Sequence, residues 1–157
     1  MKTERELAQQ NIAENRKAFH DYHIEETFEA GIALLWTEVK SIREGNVNLR
    51  DSFARVENAE VWIYNVHINP YSHRGYSDHE PTRRRKLLLH RREIRKLIGK
   101  TVEKGMTLVP LRLYFKGGKA KMAISLAKGK QAHDKRDAIR KKEVDRETRA
   151  AVKAHNR

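Results

Sequence analysis

The stretch LVPLRLYFKGGKAKMAISLA, Leu108 to Ala127, leaves the chain little freedom. Gly117 and Gly118 can both take positive φ, as a two-residue hairpin turn demands. Folding there sets Phe115 opposite Ala120, Leu113 opposite Met122 and Leu111 opposite Ile124, so one face is apolar throughout. On the other face Tyr114 meets Lys121 and Arg112 meets Ala123. Lys116 stands opposite Lys119, a mildly repulsive pair unless an anion is near. A hairpin with such a face must bury it against further elements.

Those elements lie upstream. In YHIEETFEA, Tyr22, Ile24, Glu26, Phe28 and Ala30 share one side of a strand, and Gly31 punctuates it. SFARV and EVWIYNVHI read as two strands joined by a turn around Asn58. In the second, Trp62, Tyr64, Val66 and Ile68 alternate, which puts Trp62 in the core. Ile32, Leu35, Val39 and Ile42 recur at helical spacing before Gly45. A second helix is expected from His90 to about Glu103, with Ile94, Leu97, Ile98 and Thr101 on one face. Between Asn69 and Lys86 the chain holds Pro70, Gly75 and Pro81 and no apolar period, so it reads as a loop.

Together these predict a mainly β fold. The expected architecture is a small antiparallel barrel of the oligonucleotide-binding type, with flanking helices. Residues 1–17 are polar and expected to be loose. The barrel domain is assigned to 18–127. Residues 128–157 form a basic tail where apolar content collapses.

Charge narrows the partners. Lys and Arg number 34 against 21 Asp and Glu, a net charge of +13. That excess opposes compaction and favours a polyanion, either nucleic acid or an acidic membrane surface. In RRRKLLLHRREIRK the planar guanidinium fork suits phosphate. A solvated basic helix face is the plainer explanation of the same run. No stretch approaches the roughly 20 apolar residues of a membrane span, and MKTERELAQQN has no apolar run of a signal peptide. A soluble intracellular protein is expected.

Catalysis finds little support. The chain has no Cys, hence no disulfide and no thiolate metal site. His20, Asp21, His23, Glu25 and Glu26 crowd together, but strand alternation separates His23 and Glu25 from Glu26. His79 and Glu80 lack a second ligand motif. No nucleophile elbow, phosphate-binding P-loop or zincin pattern is present. No enzyme, cofactor or metal is expected, and the histidines read as surface or RNA-contacting residues.

The ending, HDKRDAIRKKEVDRETRAAVKAHNR, has almost nothing to bury. Helix propensity is fair from Asp134 to Lys153. Asp137–Lys141 and Asp145–Arg149 are i,i+4 pairs worth about 0.2–0.5 kcal/mol each. Backbone ordering costs about 1–2 kcal/mol per residue, so the pairs do not hold a helix alone. Disorder when free and helix on a partner is expected. A solubilising tail without a partner stays open on composition alone.

The ordered matches NRKAFHDYHIEETFEAG, EVKSIREG, RKLLLHRREI, TLVPLRLYF and AKGKQAHDKR resemble the SsrA-binding protein (SmpB) family, over nearly the whole chain from Asn15. The resemblance implies a non-enzymatic, monomeric, cytoplasmic RNA-binding protein. Such proteins bind the tRNA-like part of transfer-messenger RNA and bring it to stalled ribosomes. The unfinished chain is then tagged for degradation, in trans-translation. The tail is implied to turn helical in the vacant message channel beyond the decoding centre. RNA contacts map to Asn15, Glu29 and Leu88, and nearby Lys17, His20, Lys40, Arg84 and Lys86 suit phosphates. Ribosome contacts in the tail map to Gly129, Asp134, Lys135 and Arg136, continuing through Ile139, Arg140, Lys141 and Lys142. Two positions depart from the family pattern. Trp36 replaces a usual glycine and Gln131 a common lysine. A permanent ribosomal or ribosome-assembly protein is the alternative reading, and an RNA-cleaving enzyme using His20 or His23 is a second.

Overall fold

The computed structural model describes residues 9–71, 78–103, 105–130 and 132–156. Gln131 and the centre of the expected loop lie outside them. Strands are β1 (Gln9–Glu14), β2 (Tyr22–Ile32), β3 (Val47–Asn48), β4 (Phe53–Glu57), β5 (Glu60–Tyr64), β6 (His67–Ile68), β7 (Arg85–Leu88), β8 (Thr107–Lys116) and β9 (Lys119–Gly129). Helices are α1 (Arg16–Asp21), α2 (Trp36–Arg43), α3 (Arg91–Glu103) and α4 (Ala132–His155). The main sheet runs β1-β8-β4-β5-β7-β2-β9, and β9 returns to β8. The strands from β8 through β4, β5, β7, β2 and β9 therefore form a ring, the barrel expected. Its seam between β4 and β8 is a single pair, Ala54 with Leu108.

The hairpin folds as read, with two departures. Pairs from Arg112–Ala123 to Lys116–Lys119 are present, and Gly117 and Gly118 take φ of 58° and 75°. Pro110 rather than Leu111 faces Ile124, and Leu111 bulges between Pro110 and Arg112. Proline has no N–H for the ladder, and a bulge accommodates it. Leu111 thereby leaves the main core. It joins Ala18 of α1 with Val109, Tyr114, Ala123 and Ala127 in a smaller outer cluster. The barrel interior holds Phe28, Val61, Ile63, Leu87, Leu108, Leu113, Met122, Ile124 and Leu126, with Leu97 of α3 packed into it.

Several expectations change for identifiable reasons. Val61 and Ile63 point inward on β5, so Trp62 and Tyr64 face out, half-buried. Asn65 has φ of 63°, and the chain changes phase there so that Val66 and Ile68 turn in. Gly31 does not end β2 but pairs with Leu88. A Cβ at residue 31 would meet the Leu88 Cβ at 3.3 Å, so the glycine makes room for that contact. RKLL forms β7, with Arg85 and Leu87 buried. In α3 Leu97 is buried, but Ile98 is 36% exposed. The segment before Lys17 is structured where described, since it supplies β1 and the start of α1. β9 runs past the expected boundary to Gly129, and the tail forms α4 from Ala132 to His155.

The largest surprise is α2. It starts at Trp36 rather than Ile32, leaves Leu35 and Trp36 exposed, and buries Thr37, Glu38, Ser41 and Ile42. Its buried face is mostly polar, so every polar group there needs a partner. Glu38 Oε1 accepts from the Leu35 N–H at 2.8 Å and from Arg83 at 2.5 Å. Its Oε2 accepts from Arg85 Nε. Arg85 also donates to the carbonyls of Val66 at 2.8 Å and Pro81 at 3.1 Å. Ser41 donates to the Asn69 carbonyl at 2.6 Å. His79 is buried, neither surface nor RNA-facing. Its Nε2 donates to the Ile68 carbonyl at 2.9 Å, and its Nδ1 lies 2.9 Å from the Thr37 hydroxyl. This network ties α2 to β7 and to the segment 78–83.

Burial opposes both charges in the central pair. For Glu38 it is the largest single influence, yet hydrogen bonds from Arg83, Leu35 and Arg85 outweigh it and hold the carboxyl below its ordinary value. For Arg85 burial wins and lowers the guanidinium, with Glu38 opposing. The pair is read as ionised at neutral pH, because each charge is met by an opposite one and by further hydrogen bonds.

Candidate nucleic-acid interface

Glu29 and Leu88 meet in one groove of about 660 Å³, which Gly31, Leu34, Val39, His90, Glu93, Lys119 and Lys121 also line. Strand period aims Glu29 outward from β2 between buried Phe28 and Ala30. The Tyr114 hydroxyl donates to Glu29 Oε2, and Lys116 Nζ approaches it at 3.3 Å. The Tyr114 bond is the largest influence on the Glu29 carboxyl. With Lys116 and Lys121 it outweighs burial and lowers the pKa below the ordinary carboxylate range. Burial and the same bond push the Tyr114 phenol well up. The groove thus presents a carboxylate acceptor, an apolar Leu88 that is 53% exposed, and a rim of lysines. Such a mixture suits folded RNA, where unstacked bases and 2′-hydroxyls offer apolar faces and donors beside phosphates.

The other expected contacts lie elsewhere. Asn15 is buried and engaged inside the protein. Its Oδ1 caps α1 by accepting from the Ala18 N–H at 3.3 Å, and its Nδ2 donates to the Pro110 carbonyl at 2.9 Å. Its backbone N–H donates to Leu111 at 2.7 Å. Asn15 therefore seats α1 on the β8 bulge, its side-chain amide engaged at both ends within the protein. Asn15→Ala removes the cap and leaves the Pro110 carbonyl short of a donor. A loss of about 2–3 kcal/mol is expected, read from the midpoint of urea unfolding.

Lys17 pairs with Asp51 at 2.7 Å, and His20 Nδ1 sits 2.9 Å from Asp21. Arg84 stacks over the Trp62 ring at 4.4 Å and reaches Glu57 at 3.4 Å. Lys86, cross-strand from Trp62, lies 3.6 Å from Glu60. Lys40 is exposed on α2. The structure brings Glu29 and Leu88 together, and Arg84 with Lys86. Lys17 and His20 sit on α1.

In the tail, Gly129 is the last residue of β9 and pairs with Tyr22. Asp134 and Lys135 lie within α4, their side chains outside the described residues. Arg136, Ile139, Arg140, Lys141 and Lys142 are exposed. So are Val144 and Val152, at 58% and 55%. The Lys130 N–H donates to the Asp21 carbonyl at 2.9 Å, which tethers the tail where it leaves the barrel.

Sequence reasoning missed Tyr114, Lys116 and Lys121 as neighbours of Glu29. The hairpin register already put Tyr114 and Lys121 on one face. Only the placement of β2 beside β9, with Glu29 opposite Ala123, brings the carboxylate to them.

The chain is similar to known proteins along most of its length. The family model described as SmpB protein matches residues 12–154. The SsrA-binding protein of Carboxydothermus hydrogenoformans is 63% identical over 143 residues, covering 91% of this chain and 96% of the relative. That of Bacillus cytotoxicus is 56% identical over 142 residues, covering 90% and 92%. A chain solved under the description "tmRNA-SmpB: a journey to the center of the bacterial ribosome" aligns with a TM-score of 0.66 at 51% identity. It covers 82% of this chain and 94% of its own length.

Proposed function

The chain belongs to the SmpB protein family, and from that premise we propose how its parts share the work. It binds the tRNA-like domain of transfer-messenger RNA and delivers it to stalled ribosomes, where trans-translation tags the unfinished product. The observation that carries this is the breadth of the likeness, with identity above half across almost the full length of both chains. The groove chemistry supports it. Acting with ribosomes, the protein works in the cytoplasm, and no helix among the described residues is long and apolar enough to cross a membrane. Binding rather than catalysis is its role. Labelled RNA incubated with pure protein should stay intact.

Within this reading Glu29 and Leu88 read the RNA, while Lys17, His20, Lys40, Arg84 and Lys86 meet phosphates. Asn15 positions α1. The tail beyond Lys130, disordered when free, becomes helical in the empty message channel through Asp134, Lys135, Arg136, Ile139, Arg140, Lys141 and Lys142, while Gly129, at the end of β9, anchors its root to the barrel and meets the ribosome there. Purifying the protein from its own cells and sequencing the co-purifying RNA tests the whole. One dominant transfer-messenger RNA is expected. Ribosomal RNA alone, in proportion to all ribosomes, would mean a resident ribosomal protein instead.

Glu29→Ala separates reading from charge. A carboxylate repels phosphate, so it helps only through specific contacts. Affinity for the tRNA-like domain is expected to fall about tenfold, the worth of one hydrogen bond to a charged group. Affinity for random RNA should hold or rise slightly. Equal losses on both, by gel shift at one salt concentration, would remove Glu29 from the reading role.

A further inference from the structure

Trp36 has no place in the barrel or the groove, yet it is the most conspicuous side chain on the outside. It opens α2 and is 64% exposed, with Leu35 beside it at 47%. Tyr71 meets its ring edge-on, with centroids 6.2 Å apart and planes at 69°. That contact orients the indole and leaves much of its surface to solvent. Trp36, Lys40 and Arg43 recur at i, i+4 and i+7, one exposed stripe opposite buried Thr37, Glu38, Ser41 and Ile42. Lys17, Arg84 and Lys86 each have a carboxylate neighbour. Lys40 and Arg43 are exposed on α2, and none of these salt bridges takes either of them. An oriented aromatic followed by two exposed cations at helical spacing matches a nucleobase followed by its phosphates.

We propose that Trp36 stacks on an unpaired base of the tRNA-like domain while Lys40 and Arg43 hold the adjoining phosphates. This extends the RNA surface along α2. The commitment to that RNA follows from continuity, because Leu34 and Val39 on either side of Trp36 line the groove of Glu29 and Leu88. The inference rests on the transfer-messenger RNA reading.

The chain has two tryptophans, so fluorotryptophan labelling gives one fluorine resonance per indole, and Trp36→Phe identifies which belongs to residue 36. Adding the isolated tRNA-like domain should shift the Trp36 resonance with the saturation curve of binding. Trp36→Ala should weaken affinity about tenfold, and Trp36→Phe should recover most of it. Lys40→Gln and Arg43→Gln should each lower the slope of log affinity against log salt by about one. An unmoved resonance at saturation, with Trp36→Ala binding as tightly as the parent, overturns the proposal and leaves the function intact. Failure of the parent protein itself to bind this RNA overturns the function. A shift that needs whole ribosomes assigns the stripe to ribosomal RNA. A shift that tracks protein concentration, with self-association lost in Trp36→Ala, assigns it to a second copy. Either result defeats the proposal as stated.

Discussion

Arg85→Ala is expected to lower stability by about 3–5 kcal/mol, the cost of leaving a buried charge without its partner. Arg85 and Glu38 are both fully buried. Removing the guanidinium strands the Glu38 carboxylate and the carbonyls of Val66 and Pro81. For a domain whose total stability is about 5–15 kcal/mol, that is a large fraction. The melting temperature should drop by roughly 10 °C, taking about 2–4 °C per kcal/mol for a chain of this size. Replacing both Glu38 and Arg85 by Leu or Met should recover part of the loss, because apolar groups of similar volume need no counter-charge. Circular dichroism melts of the single and double variants decide it. A single variant that melts with the parent would mean water enters and solvates Glu38.

Acid supplies a second reading of the same pair. The Glu38 carboxyl is lower in the folded protein than its ordinary value of 4.5. Its stabilisation is therefore complete above the unfolded value and lost as pH falls through the folded one. Melting curves from neutral pH down should stay level until about that ordinary value and then decline. The double Leu or Met variant should lose this part of the decline.

Ending the chain at Lys130 should abolish tagging while leaving affinity for the isolated tRNA-like domain largely intact. This cut keeps the Tyr22–Gly129 pair and the bond from Lys130 to Asp21, so the barrel remains closed. It removes α4, whose described side chains are all exposed. A 24-residue helix is about 36 Å long at 1.5 Å per residue. With no apolar face on the barrel, its ordering free energy of about 1–2 kcal/mol per residue has to come from a partner. On the proposed function, an occupied message channel would exclude such a rod and an empty one would admit it. Tagging assayed in a cell-free system on a message without a stop codon separates the outcomes. Full tagging by the shortened chain would defeat the idea that the tail senses an empty channel.

Local rules reached some elements and missed others for reasons visible residue by residue. The hairpin was legible because two adjacent glycines and a period of two point to one register. The slip at Leu111 was not, because a bulge at Pro110 depends on what lies behind the strand. β5 and β6 read as one alternating strand, but the left-handed turn at Asn65 reverses the phase. β7 was hidden by its own composition. Arg84, Arg85 and Lys86 look alike in a sequence, and burial alone separates the structural Arg85 from exposed Arg84 and half-buried Lys86. The α2 face misled because its core side is held by charges and hydroxyls rather than by Leu and Val. At the interface, Glu29 and Leu88 were named separately through family likeness. Their meeting, and the Tyr114 that holds Glu29, required the order of strands in space.

The place where the tail leaves the barrel has a mechanical consequence. β9 is flanked on both sides, by β2 and by β8, along a common strand axis, and the chain passes from its end into the tail. Tension applied to the tail along that axis loads both ladders together in shear, rather than peeling bonds one by one. A ribosome that tugs on the tail as it translocates would therefore drag the whole barrel, with its RNA cargo, instead of unravelling it.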